Sequence, residues 1–385
     1  MKMGRPSKST TAIGLLLWLA LVLELVQGQQ GGPSPALYMF GDSQLDVGNN
    51  NYVLTSQLLF KANHPRYGVD YPGGVATGRF SNGRNLADFI AASLGVATSP
   101  PAYRSISNDT GNSSIFLKGV NFAYGGAGVS DLRDENHRSY DFILFGRNGL
   151  REQIERDYSS VHAQLVRQLG QTEASAHLAN SIFVIAVGGT DIVERFLLDP
   201  AYRERIRSDQ EYQQYVARSL AAAFNAHLVS LYQMGMRKVF VVGTGPLGCY
   251  PAVRLPQSSD TTPCRDEVNS LSAQYNAAVV DRLRRAAAGS SELRYSFFDQ
   301  YAVLQRYLQE PEANGYGDVK EACCEVTDAA PVCNSMSSLC PNRTDHMFWD
   351  GVHLTEITTQ KLMAIAFDGS APVVSPVNLK ELSAP

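Results

Sequence analysis

The chain has 385 residues, a formal net charge of −4 at pH 7 and 44% hydrophobic residues. That is long for one domain but within reach of an α/β enzyme. A mildly acidic chain without basic clusters argues against nucleic acid as a partner.

Lys2, Arg5 and Lys8 precede an apolar run from Ala12 to Val26 that only Glu24 interrupts, and Val26-Gln27-Gly28 is a small-residue exit. This is the pattern of a secretory signal peptide over residues 1–28. Its uninterrupted apolar part is short for a membrane span of about 20 residues. No later stretch is long and apolar enough to cross a bilayer, so the expected mature chain begins at Gln29 and carries no transmembrane segment.

Apolar runs then alternate with helical periodicity. The first strand is expected at Leu37–Phe40, and Ser43 stands on the turn that follows it. A helix is expected at Leu86–Leu94. The second strand, Val120–Ala123, leads into Gly125-Gly126. Leu150, Ile154, Tyr158, Val161, Leu165 and Leu169 recur at spacings of three and four, which predicts a helix. The third strand, Ile182–Val187, ends at Gly188-Gly189-Thr190-Asp191. A helix over Tyr212–Met234 precedes the fourth strand, Val239–Val242, which ends at Gly243-Thr244-Gly245. A helix over Asp266–Ala288 precedes the fifth strand, Tyr295–Phe298. Glu310–Asp345 shows little periodicity, a last helix is expected at Thr355–Ala366, and residues 371–385 read as a frayed tail. Strands alternating with helices predict one parallel sheet of about five strands, wrapped on both faces. Such sheets bind ligands beyond the carboxyl ends of their strands, and the serine and the glycine-rich turns all fall at those ends.

Cys249, Cys264, Cys323, Cys324, Cys333 and Cys340 fit the oxidising compartment that a signal peptide implies. Six cysteines allow fifteen pairings. Loop closure favours local partners, so Cys249–Cys264 and two bridges within 323–340 are expected. A zinc cluster would want CxxC-type pairs with well-placed histidines, and only His346 lies nearby, so no metal is expected. Asn108, Asn112 and Asn342 each begin an Asn-x-Ser/Thr sequon, consistent with a glycosylated, secreted protein.

Phe348-Trp349-Asp350-Gly351-Val352-His353 places a carboxylate and an imidazole three residues apart. A serine becomes a nucleophile when a base takes its proton, and the base works best when a third group orients it. Ser43, His353 and Asp350 supply those three parts. Acyl transfer also needs donors for the oxyanion, and the backbone N–H groups of Ser43 and Gly126 are the natural candidates. Gly125-Gly126-Ala127-Gly128 lacks the spacing of a phosphate-cradling loop, so no nucleotide cofactor, and no cofactor of any kind, is expected.

Four blocks carry a resemblance: Phe40–Asn50; Thr77-Gly78-Arg79-Phe80-Ser81-Asn82-Gly83-Arg84; Gly119–Gly128; and Phe348–His353. Pro246-Leu247-Gly248-Cys249 and the cysteine-rich loop add to it. Over nearly the whole mature chain the sequence resembles the plant GDSL esterase/lipase family of the SGNH hydrolase superfamily. The resemblance implies a three-layer α/β/α, flavodoxin-like fold over residues 29–370 and a serine esterase acting on acyl lipids, cutin or wax esters, or acetylated polysaccharides. It implies Ser43 as nucleophile, Asp350 and His353 as acid and base, and Gly126 as an oxyanion donor. A monomer is expected, secreted to the cell wall or apoplast, with retention in the endoplasmic reticulum as the alternative address. The resemblance departs at one position. The family's Gly-x-Asn-Asp block reads Gly188-Gly189-Thr190-Asp191, so Thr190 stands where the third oxyanion donor, an asparagine, is expected. The alternative reading is a catalytically weakened lipid- or glycan-binding protein of the same fold.

Overall fold

The structure is a computed structural model and describes residues 34–53, 61–106, 113–130, 148–254, 263–327 and 330–385. The expected leader at 1–28, and the sequons at Asn108 and Asn112, lie outside the described residues.

All five expected strands form: β1 (Leu37–Gly41), β2 (Gly119–Asn121), β3 (Ile182–Ala186), β4 (Lys238–Val242) and β5 (Arg294–Phe298). They are parallel and lie in the spatial order β2-β1-β3-β4-β5. β1, β3 and β4 are buried at every residue. Only a sheet covered on both faces can bury such uninterrupted runs of Ile, Val and Phe. Helices supply the cover: Gln210–Gln233 packs on Asp266–Ala288, and Leu86–Ser93 packs on Glu356–Asp368. The result is a three-layer α/β/α sandwich. A smaller parallel pair, β6 (Asp318–Ala322) and β7 (His346–Phe348), stands beside it.

Residues 371–385 correct the expectation of a frayed tail. Val374–Pro376 forms β8, which pairs antiparallel with β5 and makes a sixth strand. The helix Leu379–Ser383 follows, capped by Asn378, whose side chain accepts from the Glu381 amide. Val374, Leu379 and Leu382 are buried in the main core. Lys238 and Arg294, at the starts of β4 and β5, donate to the Ala384 carbonyl at 2.7 and 3.2 Å. The segment belongs to the same compact unit as the sheet, because its few apolar residues land on the open edge of β5.

The order β2-β1-β3 reverses direction at β1, and a crevice opens where the connections from β1 and β3 diverge. Ser43 follows β1 and the Gly188–Asp191 turn follows β3. Gly41 lets the two strand ends approach: a Cβ there would lie 2.0 Å from the Ala186 carbonyl oxygen.

Candidate active site

Asp42 builds the turn that carries Ser43. Its amide donates to the Ala186 carbonyl at 3.1 Å, which ties the turn to β3. Its carbonyl accepts from the Leu45 and Asp46 amides, and its Oδ1 accepts from the Gln44 amide at 3.1 Å. Ser43 is thereby held half-exposed at the head of a tight turn.

His353 and Asp350 arrive from the far end of the chain. Asp350 Oδ1 accepts from the Val352 and His353 amides, both at 3.0 Å, so the i to i+3 spacing is closed by its own backbone. His353 Nδ1 lies 2.8 Å from the Asp350 carboxylate, and its Nε2 lies 2.9 Å from Ser43 Oγ. A proton on Nδ1 is fixed by the carboxylate, which frees Nε2 to accept from the serine hydroxyl. Asp350 is fully buried. Burial alone would raise its carboxyl, yet His353 and the surrounding N–H and O–H donors hold it below its ordinary value. The structure therefore brings together the three residues that the sequence placed at opposite ends.

Two further groups hold Asp350. Tyr67 donates its hydroxyl to Oδ2 at 2.8 Å, and the Cys333 amide reaches the same oxygen at 3.4 Å. Tyr67 is buried, and its hydroxyl is spent on the carboxylate. The cysteine-rich loop clamps the same turn. The Cys323 and Cys324 amides donate to the Phe348 and Trp349 carbonyls, and the bridges are Cys249–Cys264, Cys323–Cys340 and Cys324–Cys333. All six cysteines are thus paired as expected, which leaves no thiolate for a zinc cluster. Phe80, from the Thr77–Arg84 block, lays its ring 5.0 Å from that of His353. Tyr67→Phe is expected to lower kcat roughly tenfold, the worth of one hydrogen bond to a charged group. KM should hardly change, and the acid limb of the pH–rate profile should move, because the orienting carboxylate is less well held.

The candidate oxyanion side is laced to the Ser43 turn. Asp46 Oδ1 accepts from the Gly48 and Asn49 amides, and its Oδ2 accepts from the Gly125 amide at 2.9 Å. Asn50 donates to the Gly125 carbonyl at 2.9 Å. Asn49 donates to the Asn121 and Ala123 carbonyls, both at 2.9 Å. Gly126 sits in the turn so held, with a φ of 83° that disfavours any side chain. The Ser43 and Gly126 amides have no acceptor among the described residues. Such open N–H groups are what a developing oxyanion requires.

Thr190 lies on the first turn of the helix Gly189–Leu198, at the positive end of its dipole. It is half-buried, and its hydroxyl has no partner among the described residues. The next residue, Asp191, is buried and accepts from the Val129 and Ser130 amides and the Ser130 hydroxyl. It thereby fastens the Gly126 loop to this helix. A Cβ on Gly189 would lie 4.0 Å from Asp42 Oδ2, so the helix starts against the residue before Ser43.

Asp42 itself is buried, and its carboxyl is pushed up to about 7 by that burial, with Asp191 adding to the rise and the Gln44 amide and His353 opposing it. Tyr250 and Tyr275 also face it. Between the ordinary carboxylate range and about 7, the folded chain keeps a proton that the unfolded chain has released. Stability must therefore fall as pH rises through that window. Asp42→Asn removes this loss and can keep an oxygen for the Gln44 amide. Urea midpoints should show the variant gaining on the parent between pH 5 and pH 8, and a constant difference would contradict the assignment.

Among the described residues, no group of His, Cys, Asp or Glu is placed to hold a metal ion, and no helix is long and apolar enough to cross a membrane. Asn342 is exposed, with its side-chain amide donating to Asp345 at 2.8 Å.

Residues 37–367 match the family model of GDSL-like lipase/acylhydrolases. Among curated proteins, the chain is 33% identical to the GDSL esterase/lipase At5g55050 of Arabidopsis thaliana, over 90% of this chain and 89% of that one. It is 32% identical to the GDSL esterase/lipase At5g37690 of the same plant, over 94% and 97% of the two chains. It is also 32% identical to the GDSL esterase/lipase LTL1 of Arabidopsis thaliana, over 95% of each.

Proposed function

The chain belongs to the GDSL-like lipase/acylhydrolase family, and from that premise we propose that it is a serine esterase with Ser43 as nucleophile, His353 as base and Asp350 as orienter. The observation that carries the reading is the 2.9 Å approach of His353 Nε2 to Ser43 Oγ, with Asp350 on the opposite nitrogen.

Ser43 Oγ attacks the acyl carbonyl carbon as its proton passes to His353 Nε2. The carbonyl oxygen becomes an oxyanion, held by the Ser43 and Gly126 amides and by the Thr190 hydroxyl. Collapse breaks the bond to the alcohol, which leaves with the proton from His353. Water, or a second alcohol in a transfer reaction, then gives a proton to His353 and attacks the acyl-serine. The acid or new ester departs, and the proton returns to Ser43. Asp350 keeps its charge throughout and stabilises the imidazolium.

The substrate is proposed to be an acyl lipid, a cutin- or wax-type ester or an acetylated glycan. The chain is proposed to act outside the cell, on the strength of the leader pattern, the three disulfides and the exposed sequon at Asn342.

The test compares the mature protein with Ser43→Ala on short- and long-chain p-nitrophenyl esters. Turnover in the parent alone supports the reading, and equal rates in both would end it. Thr190 motivates a second reading, a binding protein with weakened catalysis. Thr190→Val separates the two. If the hydroxyl is a donor, kcat falls on the order of 10²-fold with KM little changed. If kcat is unaffected, threonine contributes nothing to the oxyanion and the second reading gains.

A further inference from the structure

Beside Ser43 and His353 lies a cavity of about 30 Å³, also lined by Gln44, Tyr250, Gln300 and Val352. That is room for about two water-sized groups. Gln300 opens the helix Gln300–Gln309 and is 1% exposed. Its Nε2 donates to Gln44 Oε1 at a long 3.4 Å. Gln44 Nε2, a donor, and Gln300 Oε1, an acceptor, are left without partners among the described residues.

Gln44 is half-exposed, and neither open atom is sealed away, so both stay available to an incoming group. Here both open atoms belong to residues that line the cavity, so its occupant can complete them. Gln44 directly follows the nucleophile in Gly41-Asp42-Ser43-Gln44.

We propose that Gln44 and Gln300 form a polar subsite that selects esters carrying a hydroxyl on the short group beside the reacting carbonyl. The favoured substrate class is then an ester of a hydroxylated partner, such as a sugar or a hydroxy acid, rather than a long unfunctionalised chain. The inference rests on the esterase reading and narrows it. One amide donates to the substrate hydroxyl and the other accepts from it, and a bare alkyl group leaves both unpaired. Sites built to bond a hydroxyl reject the analogue that lacks it far more strongly than apolar pockets reject an added one.

Two matched ester pairs test this. p-Nitrophenyl butyrate and 3-hydroxybutyrate differ by a hydroxyl on the acyl side. Propyl acetate and 3-hydroxypropyl acetate differ by one on the alcohol side. The parent should favour the hydroxylated member of at least one pair by about tenfold or more in kcat/KM, and the pair that responds tells which side of the ester enters. Gln44→Leu should abolish or invert that preference, and so should Gln44→Met, which keeps the shape without the amide. Equal rates within both pairs, or a preference that survives both substitutions, would overturn the subsite while Ser43-dependent hydrolysis stood. Absence of Ser43-dependent hydrolysis on all four esters would overturn the esterase reading and the subsite with it.

Discussion

Replacement of His353 by alanine is expected to lower turnover of an activated ester by roughly 10⁴-fold or more, the scale on which serine hydrolases lose rate when the base is removed. Among the described residues, His353 Nε2 is the one partner of Ser43 Oγ. Without it the hydroxyl must give its proton to water, and the imidazolium that Asp350 would stabilise never forms. Some stability should be lost as well, because Phe80 loses a ring neighbour and a buried carboxylate loses a hydrogen-bond donor. Added imidazole separates the chemical loss from the structural one. It should restore part of the rate if the vacated space beside Ser43 admits it, and a variant damaged only in folding should not respond. A rate within tenfold of the parent would remove His353 from the reaction.

Asp350→Asn is expected to cost about as much, roughly 10⁴-fold in kcat, with substrate affinity little altered. Asparagine is the same shape but offers an N–H group where His353 Nδ1 needs an acceptor. The imidazole can then turn its acceptor nitrogen toward residue 350 and lose its capacity to take the serine proton. Stability supplies an independent signature. The Asp350 carboxyl is held below its ordinary value by His353 and its donors. A depressed carboxylate contributes stability above its unfolded pKa and loses it as pH falls through the folded value. The stability gap between parent and variant should therefore be widest near neutrality and should close in acid. A gap that is flat with pH would contradict the assignment.

What could be read from the sequence was whatever is encoded locally. The Asp350 to His353 spacing announces itself because Asp350 is bonded to the amides of the two residues that complete the turn. The five strands announce themselves because each is a short run, mostly apolar, ending in a glycine or polar turn. The disulfides follow from short loops. Some local signals were legible and went unread: Asp199-Pro200 and Asp209 are helix starts, and their side chains do cap the helices Pro200–Ser208 and Gln210–Gln233.

Long-range partners were not legible. Tyr67 and Asp350 are 283 residues apart, and Gln44 and Gln300 are 256 apart. No spacing pattern links a tyrosine to a distant carboxylate, and only the fold brings them together. The C-terminal segment was misread for the same reason. Pro372 and Pro376 signal irregular chain, and nothing in residues 371–385 shows that the edge of β5 is open to receive them. Thr190 stands between these cases. Its identity departs from the asparagine that the resemblance leads one to expect, and the fold places it at a helix start with an open hydroxyl.

The central claim is that Ser43 is a nucleophile activated by His353. Covalent capture tests it most directly: incubate the mature protein with a fluorophosphonate ester and map the adduct by mass spectrometry. The account predicts one adduct per chain on Ser43, absent in Ser43→Ala and greatly slowed in His353→Ala. An adduct on another residue, or ester hydrolysis that continues undiminished in Ser43→Ala, would contradict it.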